Sequence, residues 1–442
     1  SMQAKQRVLT GITTTGTPHL GNYLGALKPA VNSSQQSDVD SFYFLADYHA
    51  LIKCQDPQTL HRSGREIAAI WLALGLDTNN ATFYRQSDIP EIPQLAWFLT
   101  CMTAKGMMNR AHAYKGSVDE NQRQGHTDLD QGISMGLYSY PILMAADILM
   151  FNAHQIPVGK DQIQHIEMCR DIAMRFNHTY GEHFVLPEAM VDEGDAKVLS
   201  GLDGRKMSKS YGNIIPLFAP TDELRKLIMQ ITTNSLQPGE AKDPATCTLF
   251  EIYSAFATAE ETQAVRMEYA NGIGWGEMKN KLFDYLDAYL SPARGRYNQI
   301  IADPGFVEAE LQKGALKARA HSEPFMDKLR SAVGIMSLAR DINIKANTGK
   351  AKKELSTEAQ AKADAGKAKG LAIAKQRAEQ EAQQLAQDVD QLMAKVNANE
   401  NAQAAGEEAV EDLNLQIQIA TKKTRKGLQK TLQLLQQRLS LS

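Results

Sequence analysis

Lys206-Met207-Ser208-Lys209-Ser210 places two ammonium groups and two hydroxyls within five residues. Gly201 and Gly204 lead into this stretch and Gly212 leads out of it. Such a loop can close on a polyphosphate and neutralise the charge that builds on a departing phosphate. A solvated basic loop has the same composition, so the reading leans on a second element far upstream. In Thr17-Pro18-His19-Leu20-Gly21-Asn22-Tyr23-Leu24-Gly25, His19 and Asn22 stand three apart, which puts both side chains on one face of a first helical turn. Gly21 and Gly25 are expected to keep that face open to a flat base or sugar. Taken alone, a histidine at a helix start is a capping or core residue. Paired with a downstream lysine loop, it reads as a phosphate-gripping group.

Two carboxylates add to these elements. Asp161, in Gly159-Lys160-Asp161-Gln162, follows a glycine turn, where it can accept from ribose hydroxyls or cap a helix. Asp147 lies inside the apolar run Leu143-Met144-Ala145-Ala146-Asp147-Ile148-Leu149-Met150-Phe151. A carboxylate there is costly to bury without a donor. Tyr140, Met144 and Asp147 share one helical stripe by the i, i+4, i+7 rule. An aromatic, a thioether and one acceptor suit a flat ligand with a single N–H or O–H. The other reading is a core aspartate bonded to nearby backbone.

The elements that must position these groups alternate. Arg7 to Ile12 reads as a buried strand, closed by Thr13-Thr14-Thr15-Gly16 before the helical stretch from His19. Strand, glycine turn and helix start is the order that aims backbone N–H groups at phosphate. Ser41 to Asp47 and Ala81 to Arg85 read as further strands. Helices carry Ile67, Ile70, Trp71 and Leu74, then the stretch after Pro93, Pro141 to Phe151, and Gln162, His165, Cys169 and Ile172. This is the pattern of an α/β parallel sheet with helices on both faces. From about Ile214 to Val333 the periodicity is helical throughout.

The rest of the chain bounds the partners. At 442 residues it is long enough for two to three domains, and 43% hydrophobic with 22% charged residues is ordinary for a globular protein. A net charge of −3 means that any nucleic acid must be held by local basic patches. Cys54, Cys101, Cys169 and Cys247 are widely separated, which fits a reducing cytosol better than a zinc site or a disulfide framework. With no run of 18 apolar residues and no leader-like start, a cytoplasmic location is expected. After Phe325 there is no aromatic residue, and from Lys350 the chain is dominated by Ala, Lys, Glu and Gln. Leu385, Val389, Leu392 and Val396 step by heptad spacing, as do Leu428, Leu432, Leu435 and Leu439. Leu413, Leu415, Ile417 and Ile419 alternate as a short strand would. The tail reads as a solvated helical or disordered appendage without a core of its own.

His19-Leu20-Gly21-Asn22 resembles the HIGH signature of class I aminoacyl-tRNA synthetases, and Lys206 to Ser210 matches their KMSKS signature letter for letter. Tyr140 to Asp147 and Pro157 to His165 resemble the bacterial tryptophanyl-tRNA synthetases, a likeness that runs from about Val8 to Val333. The chain departs from that family's common Gln-Pro-Ser at Thr13-Thr14-Thr15, and from its Phe-Ser at Leu9-Thr10.

The resemblance implies a Rossmann-like catalytic domain over residues 1–210 and a helical anticodon-binding domain over 211–335; it leaves uncovered the tail over 336–442, whose composition and spacing read as helical, coiled-coil or disordered. It implies that Asp147 accepts the indole N–H of tryptophan in a pocket lined by Met144, Tyr140, His49, Ile156, Val158 and Gln162. ATP would meet Thr13, Thr14, Thr15, Gly21, Asn22, Gly159, Lys160, Asp161 and Val198, together with Lys206, Met207, Ser208, Lys209 and Ser210. His19, Asn22, Lys206, Ser208 and Lys209 would carry the catalysis, with Mg²⁺ arriving on ATP and no protein metal site. A homodimer that charges tRNA(Trp) is the implied assembly. Tyrosyl-tRNA synthetase, which shares the fold and both signatures, is the alternative. A nucleotidyltransferase and a catalytically idle RNA-binding scaffold are more distant ones.

Overall fold

The apolar runs pair as five parallel strands: β1 (Gln6–Ile12), β2 (Val39–Leu45), β3 (Thr82–Arg85), β4 (Gln155–Pro157) and β5 (Glu188–Met190). Their order in the sheet is β3-β2-β1-β4-β5. The computed structural model describes residues 4–191, 198–342 and 357–441. Both faces of the sheet are buried. Tyr43 and Leu45 enter one core cluster while Phe42 and Phe44 enter the other, as the two-residue period of a strand requires. β5 is too short, and too weakly apolar in Glu188-Ala189-Met190, to be seen in the sequence.

Short helices follow the strands. α1 (Leu20–Asn22) continues through a π turn, Tyr23–Leu27, into α2 (Lys28–Ser34). α3 (Asp47–Ala50) and α4 (Pro57–Ala73) lead to β3. Between β3 and β4 run α5 (Glu91–Met102), α6 (Lys105–Asn109), α7 (His112–Arg123) and α8 (Met135–Leu149). α9 (Ile163–Tyr180) separates β4 from β5. From β1 the chain moves outward through β2 and β3, then returns to lay β4 on the other side of β1. The carboxyl ends of β1 and β4 therefore flank the crevice where strand order reverses, the usual ligand position in open parallel sheets.

Residues after the lysine loop are helical: α10 (Thr221–Met229), α11 (Thr248–Phe256), α12 (Ala259–Ala270), α13 (Trp275–Ile301) and α14 (Pro304–Val333). They share a core with the sheet, in which Tyr43 and Trp71 sit with Ile228, Tyr253 and Leu286. α14 returns along β3. Gly314 lies so close to the Phe83 carbonyl that a Cβ would strike it. Arg85 pairs with Asp88 at 2.9 Å and with Glu308 at 2.7 Å. Ser1–Ile342 accordingly forms one compact unit and Asn343–Ser442 a second.

The second unit holds α15 (Thr357–Asn397), α16 (Ala402–Ile419) and α17 (Lys422–Ser440). Residues 343–356, which join it to the first, lie outside the described residues. Two tail expectations change. The alternating Leu413 to Ile419 is helical, because Leu413 and Ile417 at i, i+4 are buried while Leu415 and Ile419 face outward. The tail also builds a small core, in which the heptad-spaced Val389, Val396, Leu432 and Leu435 are buried.

Candidate active site

His19 caps the helix that begins at Leu20. Its Nδ1 accepts from the N–H groups of Gly21 at 3.1 Å and Asn22 at 3.3 Å, while Asn22 Oδ1 accepts from the His19 N–H at 3.0 Å. The capping and phosphate-gripping roles are thus compatible. With Nδ1 used as an acceptor, the neutral ring carries its proton on Nε2 and can donate it outward. The space beside Gly21 is not open, as the sequence suggests, but filled by this ring; a Cβ there would sit 2.9 Å from His19 Cε1. Gly25 has nothing near it. Asn22 is exposed, and its amide N–H groups have no partner among the described residues.

Burial first, and then the charges of Lys209 and Lys206, lower the pKa of His19 below the ordinary 6.5. The neutral ring therefore survives into mild acid, and the cost of protonating it appears only as pH falls past 6.5. Removing the Lys209 charge should raise the pH of half-protonation toward the ordinary value. Titration of the His19 ring by NMR in wild type and Lys209→Ala checks this, and identical midpoints would show that the lysine does not act on the ring.

The lysine loop is anchored rather than free. Met207 is 2% exposed, so its side chain belongs to the core and only its backbone can face a nucleotide. Asn213, unremarkable in the sequence, is the staple. Its Nδ2 donates to Asp203 Oδ1 and to the Arg205 and Lys206 carbonyls, and its Oδ1 accepts from the Ser208 N–H at 2.9 Å. The Asn213 hydrogen bond, with Arg205 contributing, holds the Asp203 carboxyl down at about 2. Ser208 and Ser210 share a hydroxyl hydrogen bond of 2.9 Å. Lys209 reaches back to the loop after β1, where a Cβ on Gly16, whose φ is +86°, would collide with its ammonium. Residues 193 apart in sequence thereby meet at one place.

Beneath that loop a cavity of about 530 Å³ opens at the carboxyl ends of β1 and β4. Its wall contains all seven residues expected around tryptophan: His49, Tyr140, Met144, Asp147, Ile156, Val158 and Gln162. Thr13, Thr14, Thr15 and Gly159 complete one side. Thr14 is buried, and its hydroxyl has no partner among the described residues. Leu9, one of the departures from the family pattern, also lines the cavity.

Asp147 does not wait for a ligand to supply its donor. Gln86 Nε2 donates to both carboxylate oxygens, at 2.8 and 2.9 Å, and His49 Nε2 lies 2.9 Å from Oδ2. Gln86 can only be turned this way, because its Oε1 accepts from the backbone N–H groups of Tyr48 and His49. Burial raises the Asp147 pKa, while His49 and Gln86 pull it down. A carboxylate has about four acceptor sites, so room remains for one more donor from the cavity. The Tyr140 ring packs between His49, with centroids 4.6 Å apart, and His165, at 5.3 Å. Gln162 Oε1 lies 2.8 Å from His165 Nδ1, which fixes the amide at the cavity edge.

Lys160 and Asp161 are exposed in a single 3-10 turn, and Asp161 is not the cap of α9, a position taken by Gln162. Asp161 Oδ1 instead sits over Gly159, 2.8 Å from where a Cβ would be. Val198 is 56% exposed. Among the described residues there is no group of three or more His, Cys, Asp or Glu able to hold a metal ion.

Residues 1–291 match the family described as tRNA synthetases class I (W and Y). The tryptophan–tRNA ligase of Pseudomonas aeruginosa is 60% identical over 349 residues, 78% of this chain and 77% of that protein. The one from Neisseria meningitidis serogroup A is 56% identical over 335 residues, which are 76% of this chain but 99% of that protein. Among solved structures, tryptophanyl-tRNA synthetase from Campylobacter jejuni complexed with ADP and tryptophan superposes with a TM-score of 0.69 at 40% identity. That match covers 74% of this chain and 100% of the other.

Proposed function

The chain belongs to the bacterial tryptophanyl-tRNA synthetases of class I, and we propose that Asp147, held by Gln86 and His49, recognises the indole N–H while His19, Asn22, Lys206 and Lys209 hold the phosphates of ATP. The protein is a tryptophan–tRNA ligase. It activates L-tryptophan to tryptophanyl-adenylate and transfers it to tRNA(Trp), releasing AMP and pyrophosphate. The observation that carries the residue assignment is the cavity itself, where a fixed carboxylate faces an apolar slot at the sheet's switch point.

Neither step needs a nucleophile from the protein; positioning and electrostatic stabilisation suffice. The tryptophan carboxylate attacks the α-phosphorus in line, and a ribose hydroxyl of tRNA then displaces AMP from the carbonyl carbon. His19 Nε2 and the Asn22 amide donate to phosphate oxygens. Lys206 and Lys209, with Ser208 and Ser210 beside them, neutralise the pyrophosphate as it leaves. Thr13 to Thr15 and Gly21 border the triphosphate, and Gly159 to Asp161 and Val198 the adenosine, with the Met207 backbone completing the loop. The groups around the phosphates are donors and cations, which fit phosphate oxygens and not a metal. Mg²⁺ carried on ATP supplies further charge neutralisation.

In the same reading, residues 1–210 carry the chemistry, 211–335 bind the anticodon arm, and 336–442 form an appended tail. The proposed assembly is a homodimer, for which the 65% exposed Trp97 on α5 offers an apolar contact. The proposed location is the cytoplasm; among the described residues no helix is long and apolar enough to cross a membrane. Tryptophan should be the amino acid that supports ATP–pyrophosphate exchange when the common amino acids are tried in turn. Faster exchange with tyrosine would overturn the reading.

Removing Lys350 to Ser442 should leave tryptophan activation at the full-length rate. Every residue assigned to the site precedes Tyr211, and the Neisseria relative is matched over 99% of its length by 76% of this chain. Exchange measured on both chains checks it, and a drop beyond about threefold would tie the tail to the active site.

A further inference from the structure

Charge in the C-terminal bundle is segregated. α17 carries Lys422, Lys423, Arg425, Lys426, Lys430 and Arg438 and no acid, while α16 carries Glu407, Glu408, Glu411 and Asp412 and no base. α15 divides along its length. Lys362, Lys367, Lys369, Lys375 and Arg377 with two acids, Glu358 and Asp364, occupy its first half; Glu379, Glu381, Asp388 and Asp390 with Lys395 occupy its second. Lys430 faces Glu381 at 3.8 Å and Arg438 pairs with Asp390. These two contacts set α15 and α17 side by side, running in the same direction. Stepping back along that register brings the first turns of α17 beside residues 373–377 of α15. The two cationic segments therefore coincide at one end of the bundle.

We propose that this end, formed by Lys375, Arg377, Lys422, Lys423, Arg425 and Lys426, is a docking surface for the phosphate backbone of tRNA. Among the described residues none of the six side chains forms an ion pair, and of the six only the Arg425 side chain makes a hydrogen bond, to the Ala420 carbonyl at 3.0 Å. Folding does not call for them there. The first turn of α17 contains no acid, so Lys422, Lys423 and Arg425 sit against the positive end of the helix dipole. α15 extends the surface: residues 360–384 are exposed on every side except at Gln384's neighbours, where burial begins with Leu385. At 1.5 Å per residue this arm adds about 35 Å of reach, with Lys367 and Lys369 along it.

The chemistry favours RNA over the other polyanions. Leu432 and Leu435 of α17 face the bundle core, and the exposed large apolar residues on the α15 arm are the pair Leu371 and Ile373, too few to make the apolar face that enters a membrane. No aromatic residue follows Phe325, so bases have nothing to stack on, and contact is with phosphate, independent of sequence. The identity of the RNA rests on the ligase reading above, since tRNA is the polyanion that this chain must already bind.

The test uses the full-length chain, the fivefold variant Lys375→Gln, Arg377→Gln, Lys422→Gln, Lys423→Gln and Lys426→Gln, and a control with Lys422→Arg, Lys423→Arg and Lys426→Arg. Tryptophan-dependent pyrophosphate exchange without tRNA should be equal in all three; its absence in wild type would be a failure of the ligase reading and not of this one. Aminoacylation and filter binding are then measured with tRNA between about 50 and 200 mM salt. The glutamine variant should show a KM and a Kd for tRNA raised about tenfold, with a slope of log K against log salt shallower by about 2 to 4. The arginine control should behave as wild type, and circular dichroism should show the helices intact in both. Equal KM, Kd and salt slope in the glutamine variant would overturn the proposal. So would loss of binding to phosphatidylserine vesicles or to an acidic peptide with tRNA binding unchanged.

Discussion

Replacing Lys209 with alanine will slow tryptophanyl-adenylate formation by about 100- to 1,000-fold, a barrier increase of about 2.7–4 kcal/mol, the scale seen when one oxyanion-stabilising group is removed. Tryptophan affinity should stay near wild type, because the cavity around Asp147 does not include Lys209. The side chain is exposed and rests against the loop at Gly16 without an ion-pair partner among the described residues. Its ammonium can therefore meet the charge that grows on the leaving pyrophosphate, an interaction made chiefly in the transition state. Single-turnover rates at saturating ATP separate the cases. A raised KM for ATP with an unchanged rate would mean that Lys209 binds the ground state only.

Asp147→Ala should weaken tryptophan binding by about 5- to 150-fold, corresponding to about 1–3 kcal/mol for an N–H left buried without an acceptor. The damage goes beyond the ligand. Gln86 Nε2 and His49 Nε2 lose their acceptor as well, and Gln86 cannot turn away because its carbonyl is engaged by two backbone N–H groups. Gln86→Leu should thus weaken tryptophan binding through Asp147. The double variant should lose less than the sum of the two single losses, with a coupling of about 0.5–3 kcal/mol. Affinities from quenching of protein fluorescence or from equilibrium dialysis give all four corners of the cycle. Additive losses would make Gln86 a bystander.

What was legible in the sequence was local. His19 and Asn22 lie within one helical turn and Lys206 to Ser210 within one loop, so residue type and spacing carry the meaning. The stripe Tyr140, Met144 and Asp147 was readable for the same reason, since helix periodicity alone puts the three on one wall. The other groups acquire their roles only through the fold. Gln86 meets Asp147 across 61 residues, and no pattern in Arg85-Gln86-Ser87 marks it. Gly16 matters because Lys209, 193 residues further along the chain, arrives there. Asn213 is close to the loop that it staples, but asparagine after glycine is ordinary turn composition, and its four hydrogen bonds exist only once the loop is folded. The tail differs from its sequence pattern in two respects: the alternating Leu413 to Ile419 is helical, and the three helices build a core. Its apolar residues are sparse on any one helix, and only when three helices share a seam do Val389, Leu413 and Leu432 make a core.

Selection of tryptophan turns on whether the carboxylate held by Gln86 and His49 reads the indole. The most direct measurement is the ratio of kcat/KM for tryptophan to that for phenylalanine, by ATP–pyrophosphate exchange, in wild type and in Asp147→Ala. A site built to hydrogen-bond its substrate rejects an analogue lacking that group by about 10⁴–10⁵. The ratio should therefore be of that order in wild type and should collapse by at least about tenfold in the variant. A ratio that Asp147→Ala leaves unchanged would contradict the assignment.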